Sequence, residues 1–333
     1  MHCNPLQTIE LTPSNWRQAM LRSFTRWQSL ADFLQLDETQ RQTLLKQPKF
    51  PLLLPYHLAQ KIEKRTLHDP ILKQFLPTQQ ELIEMPGYSC NPIGDLEARK
   101  SPNLLQKYQG RALLLCTGAC AMNCRFCFRQ NYDYQPAVGR FEKELQLISE
   151  DPSLSEIILS GGDPLALSDL QLEHLFEKLE SIPHIRRLRI HTRFPIGIPE
   201  RIDASFLQLI QGRKLPVWFV LHINHPKELD ETLFGVFDSL RKKGAILLTQ
   251  TVLLKGINDE LHTLKSLFES LVNHGVFPYY LHQLDRVKGA SHFEVDEEKG
   301  QNLITSLEKL LPGYAIPKYV REVAGEVSKN IIQ

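Results

Sequence analysis

The residues best suited to chemistry are three cysteines in one short run. Cys120, Cys124 and Cys127 form a CxxxCxxC pattern that directly follows the apolar residues 113–115. Three thiolates at this spacing could bind three of the four irons of a [4Fe–4S] cluster, which would leave the fourth iron open to a ligand that is not protein. A chance grouping and a structural zinc site are the alternatives, although zinc sites usually combine two such cysteine pairs or add nearby histidines. The sequence has no second pair, so the pattern favours the cluster.

The composition is typical of a cytoplasmic enzyme rather than of a nucleic-acid-binding or membrane protein. The 333 residues include 39 Lys and Arg against 38 Asp and Glu, and a net charge of +1 provides no basic field for nucleic acid. No apolar run reaches membrane-spanning length, and the first residues show no signal-peptide pattern. Three of the six cysteines are scattered, which argues against a disulfide framework and favours a reducing compartment. We therefore expect cytoplasmic localisation, with neither nucleic acid nor membrane as a partner.

The chain divides into a helical front and a repeating back. Apolar residues recur at helical spacing from Trp16 to about Leu36, which predicts a helix, and short helices and loops are expected over 68–108. Farther along, strand-like runs alternate with amphipathic helical patterns, such as those at 170–179 and 229–240, which indicates βα units on a parallel sheet. The strand-like runs begin near Ala112, Ile157, Leu188, Val217, Ile246 and Phe277.

This rhythm predicts an α/β fold with two regions. Six βα units favour a partial (βα)6 barrel of the TIM type over a complete eightfold barrel. We assign the barrel to residues 108–333 and a helical N-terminal extension to residues 1–107.

In parallel barrels the reactive groups lie at the C-terminal ends of the strands, and a glycine turn occupies one such end here. The second predicted strand ends in Ser160, Gly161, Gly162 and Asp163. The glycines would let the backbone turn sharply and approach a ligand closely, and the Asp163 carboxylate could accept from a ligand ammonium. Such turns are common, so this one gains its weight from its position after the cysteine loop.

Later strand ends supply further polar side chains. His222 ends the fourth predicted strand, and Gln250 lies among apolar neighbours in the fifth. A histidine there can be an ordinary satisfied polar residue, whereas a buried amide needs partners, of which a cofactor is one. Asp285 follows the sixth strand and could bind substrate, or could pair with its neighbour Arg286 at the surface. We count His222 and Gln250 as candidate cofactor-binding residues.

Taken together, these motifs resemble the lysine 2,3-aminomutase family of radical S-adenosylmethionine enzymes. The resemblance runs from about Tyr108 to Lys329, with nearly unbroken spacing after His222. The matching segments are Lys107–Arg111, the cysteine loop with Phe128-Arg129, Leu159–Asp163, Trp218–Pro226, Gln250–Leu254, Tyr279–Asp285 and Gly289–Phe293. The family uses a [4Fe–4S] cluster, S-adenosylmethionine and pyridoxal 5′-phosphate, so the resemblance implies these cofactors here. It assigns the cluster to the three cysteines and the methionine amino group to the glycine turn.

The resemblance also assigns residues to pyridoxal phosphate. It places the lysine that bonds covalently to this cofactor at Lys329, and it places Tyr108, Arg111 and Lys107 near the phosphate. An arginine suits bidentate contact with phosphate. Lys107 stands where an arginine is familiar in the family, so it would contribute only a point charge.

The segment before Lys329 departs from the family pattern. The family has a glycine run there, whereas residues 324–328 contain one glycine. The backbone near the cofactor must therefore be built differently. Lys318 is the competing lysine, and the ordinary interpretation of Lys329 is a charge in a loose tail.

The charges of the matched residues agree with lysine as the substrate. Arg129 matches the residue that binds the substrate carboxylate, and Asp285 and Glu322 match the acidic pair that binds the ε-ammonium. Glu322 is one methylene longer than the familiar aspartate, which would loosen the fit. Two carboxylates favour lysine over an acidic substrate, which they would repel.

The implied reaction converts L-α-lysine into β-lysine, and the implied enzyme class is isomerase. The short C-terminal segment and its Val-Ala-Gly-Glu string resemble the branch that supplies (R)-β-lysine for elongation factor P. Its partners would be L-lysine, a flavodoxin- or ferredoxin-like electron donor, and elongation factor P with its lysine ligase. A homo-oligomer is left open, as is lysine already attached to the factor as the substrate.

Several other functions stay open at the level of sequence. A catabolic or secondary-metabolic aminomutase, or one for another amino acid, would carry the same motifs. A non-catalytic iron–sulfur or zinc scaffold and a radical enzyme without pyridoxal phosphate are more distant rivals. The glycine turn and Lys329 argue against the scaffold, and Arg111 with Lys329 argues against the second rival.

Overall fold

The computed structural model of the protein describes residues 16–134 and 141–332. Its first third consists of short helices joined by ordered loops. The helices are α1 Trp16–Leu21, α2 Trp27–Phe33, α3 Glu38–Gln42, α4 Tyr56–Ala59 and α5 Pro70–Lys73, followed by a 3-10 turn at Gln79–Leu82. The single helix expected from Trp16 to Leu36 is wrong, because Phe24 pairs with Leu54 in an isolated antiparallel bridge that separates α1 from α2.

The rest of the described chain is built on one ten-stranded sheet whose spatial order follows the sequence from β1 to β10. The central strands are parallel to one another, from β3 through β9. Antiparallel pairing occurs at the two edges, where β1 and β2 lead into β3 and β10 pairs with β9. The strands are β1 Arg99–Ser101, β2 Leu104–Tyr108, β3 Arg111–Thr117, β4 Glu156–Gly161, β5 Arg187–Thr192, β6 Val217–His222, β7 Ile246–Val252, β8 Phe277–His282, β9 Lys318–Arg321 and β10 Asn330–Ile331.

The prediction of a partial α/β barrel is confirmed. The six expected strands correspond to β3–β8, and each begins within one residue of its predicted start. Within the described residues β1 and β10 are not paired, so the sheet stays open. The expected boundary between residues 107 and 108 falls inside β2, and the division into two regions stays a prediction.

Helices, most of them amphipathic, cover the outer face of the sheet. They are α6 Glu142–Glu150, α7 Asp169–Glu180, α8 Phe194–Gly197, α9 Ala204–Ile210, α10 Glu231–Lys242, α11 Leu261–Asn273 and α12 Glu297–Glu308. In α7 a capping box at Ser168 starts the helix, and Leu172, Leu175, Phe176 and Leu179 form its buried stripe. Burial of each such side chain stabilises the fold by about 2 kcal/mol. No helix in the described ranges is both long enough and apolar enough to cross a bilayer.

Candidate active site

The C-terminal ends of the parallel strands surround one cavity of about 280 Å³. Every residue that the sequence assigned to the site lines it, from the three cysteines to Lys329. The competing Lys318 does not line the cavity and is exposed at the start of β9. The residues that the strand-end rule suggested therefore lie together around one cavity.

The cysteine loop leaves β3 and is held from outside by the first third of the chain. The backbone N–H of Asn123 donates to Leu53 O at 2.9 Å, and that of Arg125 donates to Gln74 O at 2.8 Å. The Arg125 side chain is buried and donates through Nε to Glu81 Oε1 at 2.8 Å. The residues between the cysteines are thus fixed, so the thiols can line the cavity.

The three thiols form a donor set that fits an iron–sulfur cluster. Cys120, Cys124 and Cys127 line one cavity, and none of them forms a disulfide. Burial, together with a smaller contribution from the neighbouring Cys124, raises the pKa of the Cys127 thiol to about 12. Thiols in such surroundings ionise only when a cation is bound beside them. Among the described residues, no group of three His, Cys, Asp or Glu is arranged to hold a single metal ion.

Arg193, which the sequence reasoning missed, provides a second observation that fits a cluster. Its Nη1 donates to Cys124 Sγ at 2.8 Å, and its buried Nε has no hydrogen-bond partner among the described residues. A buried donor without a partner is costly, and an acceptor next to the thiols would relieve that cost. Arg193 directly follows β5, so its position at a strand end was the available signal.

The glycine turn packs directly against the cysteine loop. Gly161 has a φ of +125°, and a Cβ there would lie 2.4 Å from Thr117 O. A Cβ at Gly162 would lie 2.3 Å from Ala119 O, while its N–H donates to Thr117 O at 2.7 Å. Only glycine allows two strand ends to approach this closely. The turn therefore positions the cysteine loop.

Asp163 differs from the expectation that it accepts directly from a ligand ammonium. Its carboxylate accepts from Thr192 Oγ1 at 2.8 Å and from the backbone N–H groups of Leu165, Arg193 and Phe194 at 2.8–3.0 Å. Burial raises the pKa of Asp163 to about 6, although these donors favour the ionised form. The carboxylate is saturated with protein donors, and it ties the end of β4 to the end of β5.

Arg129 is buried and lies between two groups of the chain. Its Nε donates to Asp95 Oδ2 at 2.7 Å, and its Nη1 donates to Ser160 Oγ at 3.1 Å. Asp95 was not expected in the site, because it follows Gly94 in a loop that has no periodic pattern. Asp95 and Ser160 together hold the Arg129 guanidinium near Cys127, the last cysteine of the loop.

Lys107 connects the Arg129–Asp95 ion pair to Glu322. Its Nζ lies 2.7 Å from Asp95 Oδ1 and 2.9 Å from Glu322 Oε1. It also donates to Ile93 O at 2.8 Å. The ammonium expected near a phosphate therefore has two carboxylate partners.

Glu322 also binds Lys329 in an ion pair. The β9–β10 hairpin pairs Asn330 with Arg321, which sets Lys329 opposite Glu322. Although burial opposes ionisation, the ammonium groups of Lys329 and Lys107 hold the pKa of Glu322 well below its usual value. Five residues therefore form a row of alternating charge across the cavity. The row is Arg129, Asp95, Lys107, Glu322 and Lys329.

Asp285 lies in the cavity without such support. Its carboxylate has no hydrogen bond or ion pair among the described residues, and Arg286 instead donates to Glu294 at 2.9 Å. Burial raises the pKa of Asp285 to about 7, with a further contribution from the Glu322 charge. The lysines at positions 329 and 107 partly offset this rise. A carboxyl of this kind would gain from a ligand cation.

The remaining candidates lie on the cavity wall. His222 and Gln250 are partners across β6 and β7, and His222 Nε2 lies 3.1 Å from Asn224 Oδ1. Burial holds the pKa of His222 well below its usual value, so the ring is neutral. The Arg111 guanidinium stacks 4.7 Å from the Tyr108 ring centre and has no carboxylate partner among the described residues. That free positive charge fits a phosphate.

Comparison with known proteins finds relatives that share one name, L-lysine 2,3-aminomutase. No protein-family model matches the chain. The L-lysine 2,3-aminomutase of Haemophilus influenzae is 37% identical over 335 residues and covers 99% of each chain. That of Escherichia coli is 41% identical over 326 residues, covering 96% of this chain and 95% of its own. Among solved structures, Streptococcus suis SuiB bound to S-adenosylmethionine has a TM-score of 0.49 at 14% identity, covering 65% of this chain and 51% of that one.

The curated relatives match this chain almost from end to end, so the match includes the cavity and all of its strand ends. The chain belongs to the L-lysine 2,3-aminomutase family.

Proposed function

We propose that this chain is an L-lysine 2,3-aminomutase, an isomerase that moves the amino group of L-α-lysine from Cα to Cβ. The observation that carries the proposal is the composition of one cavity. The three thiols, Lys329, Arg129 and the acids Asp285 and Glu322 all line it. These are the charges that a lysine zwitterion requires.

The cofactors of this function are a [4Fe–4S] cluster, S-adenosylmethionine and pyridoxal 5′-phosphate. When bound, they supply a carbon radical and a carrier for the migrating nitrogen. Cys120, Cys124 and Cys127 would hold the cluster, and Lys329 would bond to pyridoxal phosphate.

The phosphate contacts differ in how well the geometry supports them. Tyr108 ends β2 and Arg111 begins β3, and both line the cavity. Arg111 has no carboxylate partner in the described chain, so its guanidinium is free to bind a phosphate. Lys107 would have to leave Asp95 or Glu322 to do so. We therefore assign the phosphate first to Arg111, with Lys107 contributing charge from a distance.

The substrate would lie between the two ends of the charged row. Arg129 binds the carboxylate, since its guanidinium is fixed by Asp95 and Ser160. Asp285 and Glu322 bind the ε-ammonium, which supplies the counter-charge that Asp285 lacks. Such fixed charges orient the substrate, and the buried surroundings exclude water from a radical.

The first experiment is anaerobic turnover of L-lysine by reconstituted protein with dithionite and the three cofactors. We expect β-lysine from the wild type and none from Lys329→Ala, because the cofactor then has no covalent anchor. Lys318→Ala, which removes an exposed lysine of the same hairpin, is the matched control and should keep its activity. Cleavage of S-adenosylmethionine with lysine untouched would overturn the substrate assignment.

The product would serve the modification of elongation factor P, with a flavodoxin- or ferredoxin-like protein as electron donor. The C-terminal segment that resembles the elongation factor P branch supports this link. Free lysine is the better substrate, because the carboxyl of an attached lysine is an amide and would offer the buried Arg129 no substrate carboxylate. We expect L-lysinamide to lose about tenfold or more in kcat/KM, the value of one charge-assisted hydrogen bond. Equal turnover of both would favour the attached lysine.

A further inference from the structure

A buried polar network adjoins the cysteine loop, and of its members only Arg193 lines the cavity. It consists of Arg193, Gln74, Asn224 and Glu228, and each of these side chains is 5% exposed or less. Arg193 Nη2 donates to Gln74 Oε1 at 2.6 Å and to Glu228 Oε2 at 3.0 Å. Gln74 Nε2 donates to Glu228 Oε1 at 3.0 Å, and Asn224 Nδ2 donates to Gln74 Oε1 at 3.0 Å.

This network fixes the direction in which the guanidinium points. The Arg193 group stacks 5.0 Å from the Phe75 ring centre and 5.8 Å from that of Phe126. With two rings on its faces and Glu228 on one edge, it presents Nη1 to Cys124 Sγ at 2.8 Å. The unpartnered Nε belongs to the same group. The arginine is therefore held as a donor toward the thiols.

The cost of this arrangement indicates a function beyond stability. A buried ion pair must recover the desolvation of both charges, and apolar residues of similar size often stabilise a fold equally well. The Arg193–Glu228 pair is 4% and 0% exposed at its side chains. The chain nevertheless keeps a full positive charge at a cysteine that the proposed function assigns to the cluster.

We propose that Arg193 sets the reduction potential of the iron–sulfur cluster by donating to Cys124, with Glu228 and Gln74 as the residues that position it. The inference rests on the proposed function, which supplies the cluster. One-electron reduction makes the cluster more negative by one unit, and a donor and positive charge at a ligating sulfur stabilise the reduced form. Glu228 acts in the opposite direction, because its negative charge partly cancels that of Arg193.

The network also gives the first third of the chain a part in the chemistry. Gln74 follows α5, and it contacts the site twice. Its side chain binds Arg193, and its backbone O accepts from Arg125 N between the cysteines at 2.8 Å. The N-terminal region is thereby part of the cluster environment.

The test is a redox titration of the reconstituted full-length protein under anaerobic conditions, followed by electron paramagnetic resonance of the reduced cluster. We compare the wild type with Arg193→Gln and Glu228→Gln. Arg193→Gln should lower the equilibrium constant for reduction at least tenfold, which is about 59 mV toward negative potential for one electron. Glu228→Gln should shift the potential in the positive direction. Opposite signs from two members of one ion pair are not expected of a merely structural role.

Arg201→Gln is the matched control, because Arg201 is also fully buried, pairs with Asp169 at 2.8 Å and binds backbone carbonyls rather than a cysteine. Its potential should equal that of the wild type. Unchanged potentials in both test variants, or shifts of the same sign, would overturn the inference while leaving the proposed function intact. A wild-type protein that binds no cluster would instead overturn the proposed function. If Arg193→Gln does not retain a cluster, the reduction potentials of Glu228→Gln and of the charge-conserving Arg193→Lys test the inference instead.

Discussion

At the scale of single residues, Asp285 has a pKa of about 7 where a substrate ammonium would bind. Below this pH the group is mostly neutral, and above it the carboxylate attracts the ammonium. Because binding prefers the ionised form, the affinity for L-lysine should rise by up to about tenfold per pH unit below pH 7 and level off above it. Calorimetric titration of L-lysine into protein loaded with pyridoxal phosphate measures this dependence.

Asp285→Asn provides the control for that pH profile. The amide does not titrate, so the step near pH 7 should disappear and the affinity should stay low at every pH. A profile of the same shape in the variant would assign the proton to another group. Glu322 is a poor source for such a step, because its pKa lies well below the usual range.

Many candidate site residues could be recognised in the sequence from their type and spacing. Their hydrogen-bond and ion-pair partners could not. Cysteine spacing and strand-end position led to the cavity. Asp95, Gln74 and Glu228 carry no local pattern, since each reaches the site through contacts with residues distant in the chain. Lys107 illustrates the limit, because its two acidic partners became visible only in the fold.

At the scale of elements, the glycine turn at the end of β4 packs against the backbone at the start of the cysteine loop. Gly162→Ala would place a Cβ 2.3 Å from the Ala119 carbonyl oxygen, which is backbone and cannot rotate away. We expect the cysteine loop to shift, with a loss of about 1–3 kcal/mol in unfolding free energy and lower iron content after reconstitution. Iron analysis and denaturant unfolding measure the two effects.

Gly235→Ala is the matched substitution for that experiment. Gly235 lies inside α10, and a Cβ there meets nothing within 4 Å. Alanine should stabilise this helix by about 0.5–1 kcal/mol and leave the iron content unchanged. If Gly162→Ala behaved like this control, the turn would have no part in positioning the cysteines.

The sequence predicted strands best where they are buried and belong to the repeating βα units. The starts of β3–β8 follow from their apolar runs and from the spacing of βα units. Strands β1, β2, β9 and β10 were missed, because two to five residues at a sheet edge form no distinct pattern. The helix expected across Phe24 failed for a tertiary reason, since that residue pairs with Leu54.

At the scale of the whole molecule, the first third of the chain is bound to the barrel through buried charge. Arg125 is 1% exposed and pairs with Glu81. Glu81→Gln would leave that guanidinium without its counter-charge, so we expect about 3 kcal/mol less unfolding free energy. Denaturant unfolding gives the free energy, and decay of cluster absorbance in air shows whether the loop has loosened.

Glu269→Gln is the comparison for this variant, because it removes one member of the exposed Lys265–Glu269 pair on α11. A surface pair of this kind contributes less than about 1 kcal/mol. Equal losses in the two variants would show that residues 50–81 and the barrel are not coupled through Arg125.

The open sheet has one more consequence. Lys107 belongs to β2 near one edge, and Glu322 follows β9 near the other, so their ion pair connects the two sides of the gap. Neighbouring strands are held about 4.8 Å apart by backbone hydrogen bonds, whereas two side chains can separate by rotation alone. Between β2 and β9 the barrel therefore has a seam that side chains close, whereas a backbone bridge joins Ser89 and Val287 elsewhere. Opening this seam would separate a largely buried ion pair, and because its side chains are only 16% and 12% exposed, salt would screen the pair weakly.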